Sequence, residues 1–483
     1  MSAAPTRVRS RFWMTFAALA VGALVYSLSQ SMVAPALPNI QRALHTSTTN
    51  VTWVFTAFLL AASVAAPITG RLGDMFGKRR ILLIVIACFG AGTVVSALAS
   101  SIGVLICGRV IQGVGAGVFP LAFGIIRDEF PADQAATGIA LLSAMLGAGA
   151  GLGVVASGPI VQHLSYHWLF WLPLIGIGVS LVATVALVPP ANARVGGRVS
   201  LLGATLLCGW LGTLMLGFSE APQWGWTSGR TLGLFAGAVL LAVTWAVAQA
   251  RSPEPLIDMR VMRRRGVWTV NAAGLMLGMG MFGAFVLIPQ LVELPRATGV
   301  GFGTSTTGAG LFLVPTTLMI LVVSPLEGRI DKRVGSKVAL VLGSLFALAS
   351  LLLLAAAHRH RVDIYVAMTL LGVGIGFAFA SMANLTVEAV DPSDTGMATG
   401  INTITRTAGG AIGGSVFASI LSSHLARGAP SGHGFTVSFV VGAIAVGVGA
   451  VAALATPGRR QGAREHTRLL RGRRPSPGPA APQ

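Results

Sequence analysis

The chain has 483 residues, of which 54% are hydrophobic and only 10% charged, whereas a soluble domain carries about 25% charged residues. An apolar excess of that size must face lipid, which excludes a soluble fold. The net charge of +19 would suit a nucleic-acid binder, but its placement excludes one: with the N-terminus cytoplasmic, about 26 of the 34 Lys and Arg residues fall in cytoplasmic segments, as the positive-inside rule requires.

Fourteen apolar stretches of roughly 18–25 residues follow one another, each long enough to span a bilayer as a helix. They are continuous rather than alternating, and a helix satisfies its own backbone hydrogen bonds in lipid. The first, 12–34, follows Arg7, Arg9 and Arg11 and is too long for a signal peptide, with no small-residue cleavage site after it. It places Ser27, Gln30, Ser31 and Pro35 on one face, and a polar stripe in a spanning helix should meet a cavity or a partner helix.

The second stretch, 51–70, leads into Gly70-Arg71-Leu72-Gly73-Asp74-Met75-Phe76-Gly77-Lys78-Arg79-Arg80, expected to be a short charged turn before 81–99. Topology alone would need the bases but neither the glycines nor the aspartate. A gate is the reading that uses all of them: Gly70 and Gly77 permit a tight turn or a close backbone approach, Asp74 caps a helix or pairs with a base, and Arg79 anchors the surface. The fourth stretch, 102–124, has Arg109, Gln112, Gly113, Gly117 and Pro120 on one face. An arginine in mid-span costs roughly 2.5–3.5 kcal/mol on insertion scales, so Arg109 should find an interior partner, either as a packing residue bonded to carbonyls or as part of transport coupling. The fifth, 136–157, carries Gly147, Gly149, Gly151 and Gly153, followed by Gly158 and Pro159. These residues permit close helix packing or bending, which sequence does not separate. The sixth is 168–188.

The turn has a weaker copy at Gly328-Arg329-Ile330-Asp331-Lys332-Arg333-Val334-Gly335-Ser336-Lys337, 258 positions after Gly70. Gly113-Val114-Gly115 recurs at Gly372-Val373-Gly374 after 259 positions, and Ala136-Thr137-Gly138-Ile139 at Ala398-Thr399-Gly400-Ile401 after 262. Three motifs in one order at nearly one offset mark parallel duplicates. The segment 190–265 has no counterpart and holds two additional stretches, 200–219 and 229–249. The second half supplies 267–290, 306–325, 337–357, 363–386, 396–423 and 435–456. The expected organisation is therefore an all-α integral membrane protein: a six-helix bundle over 1–189, two linker helices and a basic loop over 190–265, a six-helix bundle over 266–456, and a basic, Pro-rich, disordered tail over 457–483. In the second half Asn271 and Phe282 share a face with Gly274, Gly278 and Phe285, and Asn402 and Arg406 share one with Gly409 and Gly413.

All fifteen acids map to loops or helix ends. A buried cationic ligand would then lack a counter-charge, which favours neutral or anionic amphipathic substrates that Arg109 and Arg406 attract. Three cysteines lie in apolar stretches without metal-ligand spacing, and no phosphate-binding G-x-x-x-x-G-K-[ST] loop is present, so metal chemistry and ATP drive are not expected.

Gly70 to Arg80, Leu105 to Gly117 and Gly147 to Pro159 together resemble the signatures of the major facilitator superfamily, in its fourteen-helix drug/proton antiporter branch. The resemblance covers nearly the whole chain outside the tails. It implies two six-helix bundles with two added helices, a gating role for the loops, and proton transfer at the fourth-helix arginine, here Arg109. Three positions depart from the pattern. Ser29 stands at the first-helix position of the membrane-embedded acid, Val154 where proline is expected, and Lys332 at the acidic position of the second loop, with Asp331 one residue early.

The expected function is proton-driven efflux of small amphipathic compounds such as drugs or antibiotics by alternating access, with no enzymatic step. The alternatives are a facilitator or importer of a neutral or anionic solute without proton coupling, and a non-transporting membrane sensor. Expected partners are the substrate, protons as coupling ion and membrane lipids, without cofactor, metal or nucleic acid, the chain acting as a monomer in a bacterial inner membrane with both termini cytoplasmic. The substrate cavity is assigned to Ser27, Gln30, Ser31, Gln112, Asn271, Phe282, Asn402 and Arg406, and coupling to Arg109 and Arg406. Gating is assigned to Gly70, Asp74, Gly77, Arg79, Gly328, Asp331 and Gly335, and flexing to Gly149, Gly151, Gly153 and Pro159.

Overall fold

The computed structural model describes residues 4–46, 48–190, 200–253, 255, 257–391, 394–426 and 429–457. The expected tail beyond 457 lies outside them, as do the side chains of Arg7, Arg9, Arg11 and Phe282. Every predicted apolar stretch is helical: α1 (Ala4–Ala43), α2 (Thr48–Phe76), α3 (Lys78–Ala97), α4 (Ile102–Gly113), α5 (Val118–Glu129), α6 (Ala132–His163), α7 (Trp168–Leu187), α8 (Leu201–Trp224) and α9 (Gly229–Arg251). The short α10 (Met259–Met262) then precedes α11 (Arg265–Glu293), α12 (Thr306–Val334), α13 (Ser336–Ala356), α14 (Arg361–Glu388), α15 (Thr395–Ser423) and α16 (Gly432–Ala455). A two-residue ladder, Leu425–Ala426 against Ala429–Pro430, joins the last two helices.

Among the described residues, thirteen spans are long and apolar enough to cross a membrane. The fourteenth long helix, α15, has 29 residues and is rich in Gly and Thr; its polarity is tolerated because most of it is enclosed by other helices. The chain is thus a multi-pass membrane protein. Ser101, Ser200, Ser228, Ser305 and Ser431 start helices by accepting the backbone N–H three residues on.

Two features differ from expectation. The fourth stretch is not one α-helix: a 3₁₀ turn, Val114–Gly117, separates α4 from α5, at the alternating glycines 113, 115 and 117 where side chains from Phe89, Tyr26 and Thr69 press in. Nor is Gly70 to Arg80 a charged turn. α2 continues to Phe76 and α3 begins at Lys78, so Gly77 alone breaks the helix, at φ +98°. Its duplicate Gly335 does the same between α12 and α13, at φ +87°. Hydropathy sees only the apolar part of a helix, whereas backbone hydrogen bonding carries it further into the polar interface.

Because successive spanning helices alternate in direction, the helix ends at Gly77, Glu129, Ser200, Arg265, Gly335 and Asp391 lie at one end of the bundle, the basic face; the opposite end is the far face. In the first half α1 packs on α6 and α7, α2 on α4, and α3 on α4 and α7. In the second, α11 packs on α15 and α16, α13 on α14 and α16, and α12 on α14. The two sets meet along α6 against α12 and α14, and along α2 and α5 against α15. α8 and α9 pair with each other, and α8 leans on α2 and α15.

Candidate functional site

Between the two sets of helices lies a cavity of about 30 Å³ lined by Ser27, Gln30, Leu146, Gly147, Ala150, Met281, Phe285, Ile375 and Phe379. That is room for roughly two waters. α1 and α6 supply one wall, α11 and α14 the other, so each duplicate contributes two helices. Ser27 donates to the Leu146 carbonyl and is thereby fixed against α6. Ser31 turns back to the carbonyls of Ser27 and Leu28, with a longer bond to Gly149 at 3.3 Å, and is outside the cavity lining. Gln30 is half-buried and presents the one amide of the wall.

The guanidinium of Arg406, 5% exposed, stacks 4.3 Å over the Phe379 ring that lines this cavity. No carboxylate is among the lining residues. Asn271 and Asn402 form a separate pair, Nδ2 of Asn402 donating to Oδ1 of Asn271 at 3.2 Å, with Thr405 donating to the same oxygen at 3.4 Å. They tie α11 to α15 and are not among the cavity-lining residues.

Arg109 is enclosed within the first half, fully buried. Nε donates to the Val54 carbonyl at 3.0 Å, Nη1 to Gln112 Oε1 at 2.9 Å, and the group stacks 4.0 Å over Phe58. Gln112 in turn donates to Thr93 Oγ1 at 2.8 Å. Gln112 therefore faces α3 and Arg109 rather than the cavity to which its helix face assigned it. The interior partner expected for Arg109 is present and is neutral: a carbonyl, an amide and a ring.

The basic face is closed by backbone-to-backbone contact. A Cβ on Gly70 would collide with the Gly396 carbonyl, and one on Gly400 would lie 2.9 Å from Pro67 Cα. Gly70 is thus required for close approach of α2 to α15, not for a turn. Asp74 sits at the start of α15, its Oδ2 3.0 Å from where a Gly396 Cβ would stand, where the helix N-terminus favours negative charge. Lys78 Nζ is 3.7 Å from Asp74 Oδ1 and 2.6 Å from Asp128 Oδ2. On the other seam, a Gly328 Cβ would meet Thr137 of α6 at 3.0 Å. Asp331 accepts from Ser336 at 2.6 Å and so fixes the Gly335 corner. Arg79 donates to the Val185 carbonyl at 2.7 Å, which joins α3 to α7 within the first half and makes no bond across the seam.

Three groups that sequence reasoning did not single out complete the site. Arg127, at the end of α5, donates to the Val390 carbonyl at 3.0 Å, to the Asp391 carbonyl at 3.4 Å and to Thr395 Oγ1, bridging the two halves. Asp394, the residue before α15, has its carboxyl raised above the usual range by burial and then by the neighbouring Asp391. Glu327 corrects the expectation that every acid is in a loop or at a helix end: it lies inside α12 and is fully buried.

The α6 glycines divide by side. Gly149 and Gly153 press on α1 at Ser27 and Ser31, whereas Gly151 and Gly158 press on α12 at Thr317 and Thr307. The helix runs unbroken through Pro159. Close packing accounts for these glycines in this arrangement, and Val154 stands among them without interrupting the helix.

A sequence model described as the Major Facilitator Superfamily matches residues 19–414. The chain is 31% identical over 346 residues to the "Tetracenomycin C resistance and export protein" of Streptomyces glaucescens, covering 71% of this chain and 63% of that protein. It is 26% identical over 354 residues to the "Multidrug transporter protein MdtP" of Bacillus subtilis, covering 72% and 63%. It is 27% identical over 399 residues to the "Multidrug resistance protein Stp" of Mycobacterium tuberculosis, covering 82% and 73%. The match thus spans under two thirds of the length of the first two relatives. The fold is similar to that of the human organic anion transporter MFSD10 (TETRAN), with a TM-score of 0.64 at 18% identity, covering 91% of this chain and 99% of that one.

Proposed function

This chain belongs to the major facilitator superfamily, and from that premise we propose that it exports small amphipathic compounds, neutral or anionic, by alternating access driven by a proton gradient. The cavity carries the reading. It is shared by both halves, walled by Phe and Met side chains that adapt to varied apolar shapes, and has no acid in its lining, with Arg406 stacked on the Phe379 ring that lines it. A drug-sized ligand needs about 300 Å³ or more, so at about 30 Å³ the cavity admits one only after the halves move apart. The glycine contacts closing the basic face are suited to that movement, since among the described residues no ion pair crosses it and only the Arg127 hydrogen bonds must part. The relatives named for tetracenomycin export and multidrug resistance support export of this kind of compound.

The site residues are read accordingly: Ser27, Gln30 and Arg406 at the substrate, Asn271 and Asn402 as the α11–α15 tie behind it, Gly70, Asp74, Gly328 and Asp331 at the gate. Ser29 favours a second reading, a facilitator without proton coupling: it is buried, its hydroxyl has no partner, and it cannot carry a proton as an acid would. Uptake of a fluorescent anionic amphiphile into everted vesicles, with and without an uncoupler, separates the two. Uncoupler-sensitive uptake that neutral compounds inhibit and lipophilic cations do not is the expected result. Inhibition by cations as strong as by neutral compounds defeats the substrate class, and indifference to the uncoupler leaves the facilitator.

A further inference from the structure

Glu327 has no part in the cavity or in the bonds that close the basic face. It is fully buried in α12, with Oε1 accepting from Ser381 Oγ at 3.0 Å and Asn384 Nδ2 at 3.4 Å, and Oε2 accepting from Asn384 Nδ2 at 3.1 Å. Among the described residues no Lys, Arg or His nitrogen lies within 4.0 Å of it. Its charged neighbours are acids, Asp331 one turn along α12 and Glu388 on α14; α6, α11 and α13 bring none among the described residues. A carboxylate buried with neutral donors alone is unstable relative to its acid form.

Both donors serve either protonation state. Ser381 can rotate its hydroxyl, and Asn384 has a buried Oδ1 without a partner. Turning that amide over brings Oδ1 to the place of Nδ2, where it accepts from a protonated Glu327. A lysine or arginine partner would hold only the charged form. The duplicate shows that the fold does not need the cluster: at the offsets of 258 and 259 the equivalents of Glu327, Ser381 and Asn384 are Thr69, Ala122 and Ile125. Position adds the last element. Gly328, the next residue, presses on Thr137 of the other half, and Pro325, two residues back, removes an internal helix bond and allows α12 to bend there.

We propose that Glu327 is a proton-binding site governed by the α6–α12 contact, neutral while the basic face is closed and ionised when that contact opens to water. On opening, the carboxyl O–H breaks, the proton passes to water and the carboxylate remains; closing requires one proton to be taken up again. No oxidation or reduction is involved. This rests on the alternating access proposed above and places the coupling acid in the second half, since the first helix has Ser29.

The test uses the purified full chain. Infrared difference spectra across a pH titration should show the C=O band of a protonated carboxyl in the wild type, lost in Glu327→Gln and shifted in Glu327→Asp. Labelling of a Thr137→Cys probe by an impermeant maleimide should rise at least tenfold with pH in the wild type and stay low at all pH values in Glu327→Gln. If Glu327→Gln does not fold, Asn384→Leu should move the midpoint of the wild-type band, because the two-way partner is gone. A band unchanged in Glu327→Gln, labelling that tracks pH as in the wild type, or an unmoved midpoint in Asn384→Leu overturns the proposal. In proteoliposomes with an imposed pH gradient, equal uphill dye movement by wild type and Glu327→Gln also overturns it and leaves export standing. A titrating band in a protein that moves no dye supports Glu327 as a proton site and removes the export reading instead.

Discussion

Arg127→Ala should loosen the basic face without disturbing either half internally. The side chain is half-buried and gives three hydrogen bonds across the seam, two to the carbonyls of Val390 and Asp391 and one to Thr395. Bonds from a charged donor contribute about 1.5–3 kcal/mol each in favourable surroundings. Water enters a half-buried gap and replaces part of that, and the Asp391 bond is long at 3.4 Å, so the worth of a single bond, about 2 kcal/mol, is the appropriate net figure. This lowers the ratio of closed to open forms roughly thirtyfold. The assay is maleimide labelling of a single cysteine placed at Thr137, on the far side of the same interface, in membranes open to the basic face. Labelling should accelerate by that factor, while Arg127→Lys, which keeps the charge on one nitrogen but cannot reach all three acceptors as the two-nitrogen fork does, falls between. An unchanged rate in Arg127→Ala would show that the glycine contacts alone hold the face closed.

Gly400→Val places side-chain atoms against Pro67 of α2 and should destabilise the closed form by about 1–3 kcal/mol, read as lost transport with normal membrane insertion. Gly77→Ala forces a Cβ into φ +98°, at a cost of about 1–3 kcal/mol, measured as a lower Tm of the detergent-solubilised protein. Arg406→Ala should weaken binding of an anionic amphiphile by roughly tenfold, about 1–2 kcal/mol, and leave a neutral one of equal size within twofold. For Asp394 the raised carboxyl sets the sign. The folded protein holds that proton more tightly than the unfolded chain, so the contribution to stability is full at acid pH and lost as pH rises through the raised value. Asp394→Asn should therefore raise Tm at neutral pH and flatten its dependence on pH in the mildly acid range; a lower Tm at neutral pH would contradict this.

Helix positions and the duplication were legible in the sequence because lipid imposes one simple demand, a long apolar run with internally bonded backbone. Helix ends were not. The run at 306–325 stops at Pro325 by hydropathy, yet α12 continues to Val334, which is why Glu327 read as a loop acid. Periodicity placed Arg109 and Gln112 on one face correctly, and they do touch, but periodicity does not say which neighbour that face meets, so Gln112 was sent to the cavity. Arg127 was invisible for another reason: near a helix end on the basic face, it resembles any residue that sets topology. Gly70 was noticed, with Gly328 as its copy, but a turn and a close approach between helices leave the same mark in sequence, so only the packed helices show that the approach is what it serves. The pairing of Lys78 with Asp128 joins residues 50 positions apart, a proximity that exists only once α3 and α5 pack.

The most direct test of the account is the accumulation ratio of an anionic fluorescent amphiphile in proteoliposomes of the purified chain under an imposed pH gradient, measured at steady state. Exchange of one proton for one substrate predicts roughly tenfold accumulation per pH unit against its own gradient, collapsing when the pH difference is removed. A ratio that settles at one while the gradient persists would contradict proton-driven export and leave this protein a facilitator.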